Sequence, residues 1–216
     1  MPADQAAGLR RRSARQPASC IHCFFEAPFS TTQLMVALHQ LGQVSLLVDM
    51  CGRLFADSST RSLFDWKQQL ERNHLNTLPQ AYGDGWYAPG LTGDAPNLPR
   101  LLQGYDSVVF DAGSVANELA LLPDMPSHVI IEVHPTGDSM QRAYCMLKTL
   151  SQAGNALSVG LLGDASACNH VQAACCHFLE PSLTQVFYSV VHEDAAFPAL
   201  AVRMAAEETH RMSRCI

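Results

Sequence analysis

The sequence predicts an α/β fold: a three-layer, doubly wound, mostly parallel sheet. Three observations predict it. Short continuous apolar runs recur from residue 20 onward, as strands covered on both faces require. Amphipathic stretches separate those runs, as in a sheet flanked by helices on both sides. The 216 residues, 48% hydrophobic and 16% charged, suit one domain with a substantial core.

The elements follow in order. Residues 1–18 read as a flexible, partner-binding tail, and residues 19–216 as the α/β domain. A short helix is expected over 4–12, capped by Asp4 and weakened by Gly8. The run Cys20-Ile21-His22-Cys23-Phe24-Phe25 predicts the first strand and residues 31–41 the first helix. Leu46-Leu47-Val48-Asp49 marks a second strand over 44–49. Helices are expected at 62–72 and 98–103, on either side of a Gly-, Pro-, Asp- and Asn-rich loop over 76–97 with a short extra strand near Trp86. Strand 107–111 (Ser-Val-Val-Phe-Asp) precedes a helix at 116–122, and strand 128–133 a helix at 139–153. Strand 157–162 leads to a helix at 167–179, and strand 185–191 to a last helix at 198–212.

Charge narrows the function. A net charge of -6 argues against a general nucleic-acid binder. Four arginines nevertheless crowd into residues 10–15, and lysine occurs only at Lys67 and Lys148. No apolar run reaches the roughly 18–20 residues of a bilayer span, and no secretory leader is read at the N-terminus. Eight cysteines in such a chain are expected to be reduced thiols of a cytoplasmic protein.

In an open α/β sheet ligands sit at the carboxyl ends of the strands. The first turn there is Phe24-Phe25-Glu26-Ala27-Pro28-Phe29-Ser30-Thr31-Thr32. A phosphate-cradling loop needs glycines and a lysine; this turn has neither. Thr31 fits the hydroxyl that reaches Mg²⁺, but is read first as a helix N-cap. Asp49 and Asp111 end their strands on the same edge, where such folds place Mg²⁺ ligands, and a loop-capping role is equally open to each. No cation source is evident beside these two carboxylates. Cys20 and Cys23 fall within one strand, so they point to opposite faces and cannot share a metal. Cys168 and Cys175 share one helix face and read as small buried side chains. A thiol or metal protein is the third reading weighed, but no residue is assigned as catalytic or metal-binding.

The stretches 4–10, 41–49, 105–113 and 135–148 carry motifs that resemble those of the MinD/ParA-like P-loop family and, within it, the FlhG (FleN) flagellar number regulators. Asp4-Gln5-Ala6-Ala7-Gly8-Leu9-Arg10 resembles that group's N-terminal DQAxxLR motif. Leu41-Gly42-Gln43-Val44-Ser45-Leu46-Leu47-Val48-Asp49 and Tyr105-Asp106-Ser107-Val108-Val109-Phe110-Asp111-Ala112-Gly113 resemble two family strands. Pro135-Thr136, Asp138 and Ala143-Tyr144-Cys145-Met146-Leu147-Lys148 resemble a family helix entry.

The departures cluster in the first turn. Where the family loop reads GKGGVGKTT, Phe25 and Ser30 stand for the two lysines, and Glu26 and Phe29 for glycines. The family's catalytic aspartate falls on Cys51 and its adenine-reading asparagine near Gly163. The resemblance therefore implies a degenerate ATPase that has lost phosphate binding and water activation, with no cofactor expected. The ATP-sandwich homodimer, which needs the lost lysine, is not expected either. ATP with Mg²⁺ enters only under the alternative, an active ATPase with an atypical nucleotide loop. The family's membrane helix would map to 198–216, which has acidic residues and no lysine; no membrane contact, or a weak one, is expected. The resemblance further implies that Asp4, Gln5, Leu9 and Arg10 contact an FlhF-like, SRP-type GTPase and stimulate it. Flagellar switch proteins or a flagellar transcriptional activator are further partners it implies, with recruitment to the cell pole.

Overall fold

A computed structural model describes residues 18–49, 53, 77–79, 105–114, 127–152, 157–179, 187–191 and 195–212. The elements are β1 (Ser19–Phe24), α1 (Pro28–Gln40), β2 (Ser45–Asp49), β3 (Thr77–Pro79), β4 (Ser107–Asp111) and β5 (Ser127–Val133). They continue with α2 (Gly137–Gln152), β6 (Leu157–Gly163), α3 (Ala165–Phe178), β7 (Phe187–Val191) and α4 (Ala196–Met212). The described strands form one seven-stranded sheet in the order β3-β2-β4-β1-β5-β6-β7. Every neighbouring pair is parallel.

Period-two alternation sends each strand's side chains to two separate cores. On one face Cys20, Phe24, Val108, Phe110, Val129 and Ile131 pack with Leu147 of α2 and with Val171 and Cys175 of α3. On the other, Ile21, Cys23, Phe25, Val109 and Ile130 meet Leu34 and Leu38 of α1, with Phe197, Leu200 and Met204 of α4. Neither face of the central strands is left to water, which explains why β1, β4 and β5 are buried along their whole length. The helix that the resemblance would send to a membrane, α4, thus spends part of its apolar stripe on this core. Among the described residues no helix is long and apolar enough to cross a bilayer.

Two sequence expectations change. Helix α1 begins at Pro28 with Ala27 as its N-cap, not at Thr31. Proline lacks an N–H and its φ is already helical, so the first helical position suits it. Thr31 is therefore not a cap; it lies within the helix and is fully buried. Within the loop region expected over 76–97, the described residues form β3, a short strand that the sequence pattern did not place. Trp86 lies outside the described residues, as do the helices expected at 4–12, 62–72, 98–103 and 116–122.

Candidate functional site

The carboxyl ends of β1, β4 and β2 lie side by side, with Cys23 and Asp49 each in register with Asp111. Three turns' worth of polar side chains converge there. Asp111 has no exposed surface. Its Oδ1 accepts from the Thr31 hydroxyl at 2.5 Å. Arg53, four residues past the end of β2, lays a fork across it: Nε donates to Oδ2 at 2.7 Å and Nη2 to Oδ1 at 2.7 Å. The third nitrogen, Nη1, donates to the Glu26 carbonyl at 2.8 Å. A bidentate guanidinium–carboxylate pair is among the strongest polar contacts in a protein. Arg53 supplies the cation that no local sequence pattern shows beside the strand-end carboxylates.

The turn after β1 is also committed to its own chain. The Glu26 amide donates to Glu132 Oε2 at 2.6 Å, and Glu132 is itself nearly buried. The Glu26 carboxylate pairs with Arg142 of α2 at 2.7 Å and lies 3.4 Å from His134 Nε2. One amide that an anion could approach thus faces a carboxylate, and Pro28 has no amide to offer.

The singled-out residues that fall among the described ones each find a definite place. Phe25 does not face the site: it is fully buried in the second core, edge-on to Phe197 at 6.1 Å between ring centroids. Ser30 is buried on the inner side of α1, and Glu26 is partly exposed at the site's rim. Phe29 projects into solvent, 66% exposed. Asp49 ends β2 at the expected edge. Cys51 and the tail residues Asp4, Gln5, Leu9 and Arg10 lie outside the described residues.

Gly163 ends β6 at a φ of 151°. A side chain there would place its Cβ 2.0 Å from the Val133 carbonyl oxygen. The next residue, Asp164, caps α3 by accepting from the Ala167 amide at 2.8 Å. The β6–α3 turn is therefore built for close backbone approach.

The thiols are placed as the strand and helix periods require. Cys20 and Cys23 lie in opposite cores. Burial pushes the Cys20 thiol up to about 12. Burial, and then the Asp111 carboxylate, holds Cys23 well above its ordinary value against the pull of Arg53. Cys168 and Cys175 are buried together under α3, whereas Cys145 and Cys176 are exposed. Among the described residues no group of three or more His, Cys, Asp or Glu side chains is arranged to hold a metal.

The chain is similar to the MinC:MinD cell division protein complex of Aquifex aeolicus, with a TM-score of 0.47 and 14% identity over 89% of each chain. It is also similar to a ParA family ATPase from Chlorobium tepidum TLS, with a TM-score of 0.45 and 12% identity over 88% of this chain and 93% of that one. The likeness is distant and is one of fold. No family model matches the sequence. No curated protein matches it either.

The fit of Mg²⁺ and a nucleotide to this site is decided by the residues present. Thr31 and Asp111 supply oxygens of the right kind, but Arg53 already bridges both Asp111 oxygens. The turn contributes no glycine and no lysine. The site as built does not fit the group. Arg53 was missed in the sequence because nothing in its local pattern distinguishes it from the other arginines. Its partners stand 58 and 27 residues away.

Proposed function

We propose that this chain acts by contact rather than by hydrolysing a nucleotide. In this reading it is a MinD/ParA-like scaffold that regulates flagellum number and placement. Its N-terminal motif, Asp4-Gln5-Ala6-Ala7-Gly8-Leu9-Arg10, binds an FlhF-like, SRP-type GTPase and raises its rate of GTP hydrolysis. The observation that carries the first half is the guanidinium of Arg53 seated on Asp111, at the strand edge where a nucleotide-bound metal would be held. A protein whose Mg²⁺-ligand position is filled by its own arginine needs another way to act. The tail motif offers one.

The chemistry of the tail suits that role. Gln5 orders a water or a catalytic group at the partner's site. Leu9 fills an apolar groove, and Arg10 pairs with a carboxylate or phosphate oxygen as a charge-assisted fork. Polar recruitment then follows from the partner rather than from a membrane helix of this chain. The competing reading, an active ATPase with an atypical loop, draws on one feature: the Thr31–Asp111 hydrogen bond keeps a hydroxyl and a carboxylate together.

The test is GTP turnover by an FlhF-type GTPase with and without the full chain. Stimulation is expected with the native sequence, falling at least tenfold with Gln5→Ala and with Arg10→Ala. A tenfold loss corresponds to about 1.4 kcal/mol of transition-state stabilisation. Undiminished stimulation by Gln5→Ala would remove the motif from the mechanism.

A further inference from the structure

The structure assigns to Arg53 the role of a resident cation. Its guanidinium fills, permanently and from within the chain, a cation position formed by Asp111, Thr31 and the Glu26 carbonyl. The assignment deepens the contact-acting reading, since it explains how the site keeps one arrangement with no nucleotide present.

The donor set supports this directly. Asp111 is a fully buried carboxylate, and a buried carboxylate without a compensating cation is strongly destabilising. The oxygens around it come from a carboxylate, a hydroxyl and a backbone carbonyl, all of the kind that binds hard cations. Asp111 and the Glu26 carbonyl each receive a guanidinium nitrogen at 2.7 to 2.8 Å. The remaining oxygen, Thr31 Oγ1, turns its proton to Asp111. Arg53 is mostly shielded, with 19% of its side chain exposed, against none for Asp111. A guanidinium is well suited to such a place, because its charge does not titrate and its planar fork matches a carboxylate edge.

The arrangement also ties three elements together. One side chain joins the segment after β2 to the end of β4 and to the turn between β1 and α1. In a protein regulated by nucleotide, a bound ligand would have to make those ties. Here they are made by covalently attached groups, so the surface at this edge does not depend on ATP or Mg²⁺.

Thermal unfolding of the full chain tests the assignment. The wild-type Tm is expected not to move with millimolar Mg²⁺. Arg53→Ala should lower it by about 6–12 °C, the effect of uncovering a buried charge in a chain of this size. Part of that loss should return on adding methylguanidinium or Mg²⁺, but not methylammonium at the same ionic strength. The double variant Arg53→Met with Asp111→Asn, which removes both charges, should be more stable than Arg53→Ala. Should Arg53→Ala fail to fold, folding of the double variant would support the assignment, and its failure to fold would overturn it. A wild-type Tm that rises with Mg²⁺, or an Arg53→Ala protein restored by neither cation, would also overturn it. The GTPase assay is independent of these measurements. A chain that fails to stimulate FlhF can still carry a resident cation, and the converse holds.

Discussion

His22 sits in the middle of β1 with 1% of its surface exposed, stacked on Phe110 at 4.9 Å and 9° between ring planes. Its Nε2 has no hydrogen-bond partner among the described residues. Burial, with the nearby His128 second, lowers its pKa to about 3 from an ordinary 6.5. The folded state therefore refuses a proton that the unfolded chain accepts. Stability is complete above pH 6.5 and declines as the pH falls from 6.5 towards 3. Between pH 7 and pH 5 this one group should remove about 2 kcal/mol. Urea unfolding across that range measures it, with His22→Leu as the comparison. The variant should lose distinctly less stability on acidification; equal pH slopes would assign the acid sensitivity elsewhere.

At the scale of elements, strands and helices follow local chemistry, and their ends follow single residues. Asp164 marks the start of α3 because its carboxylate satisfies an amide that the helix cannot. Asp164→Ala should cost about 1 kcal/mol in equilibrium unfolding. Gly163→Ala should cost more, about 2 kcal/mol or above, since the new methyl collides with backbone rather than with a flexible side chain. A smaller loss for Gly163→Ala than for Asp164→Ala would mean that the β6–α3 turn relaxes freely. The described elements lie within a few residues of where apolar runs and amphipathic stretches place them, because those patterns are local. Strand β3 is the exception. Its three residues, Thr77-Leu78-Pro79, carry no period and end in a proline. A proline is tolerated there because β3 is the outermost of the described strands. The start of α1 was misplaced for a related reason: Pro28 reads as a breaker unless it is recognised as a first helical residue.

At the scale of the molecule, the parallel sheet delivers one polar edge, and the chain fills that edge itself. Calorimetric titration with Mg·ATP should show no binding tighter than about 100 μM, equivalent to about -5.5 kcal/mol. Sedimentation should give the same profile with and without the nucleotide. Tighter binding, or nucleotide-driven association, would favour the active-ATPase reading.

The sequence by itself determined the class of fold and a first turn without the residues that cradle a phosphate. Both are written in residues adjacent along the chain: the apolar runs of Cys20 to Phe25 and Ser107 to Asp111, and the absence of glycine and lysine between Phe24 and Thr32. It also supplied the tail motif on which the proposed activity rests. Only the tertiary structure decided what occupies that strand edge. Arg53, Asp111, Thr31 and Glu26 meet because parallel pairing sets the ends of β1, β4 and β2 abreast. Asp111 lies 80 residues from Thr31. Hydrophobic periodicity reports which way a side chain faces within its own element. It says nothing about which distant charge will face it, and that is settled only when the strands pair.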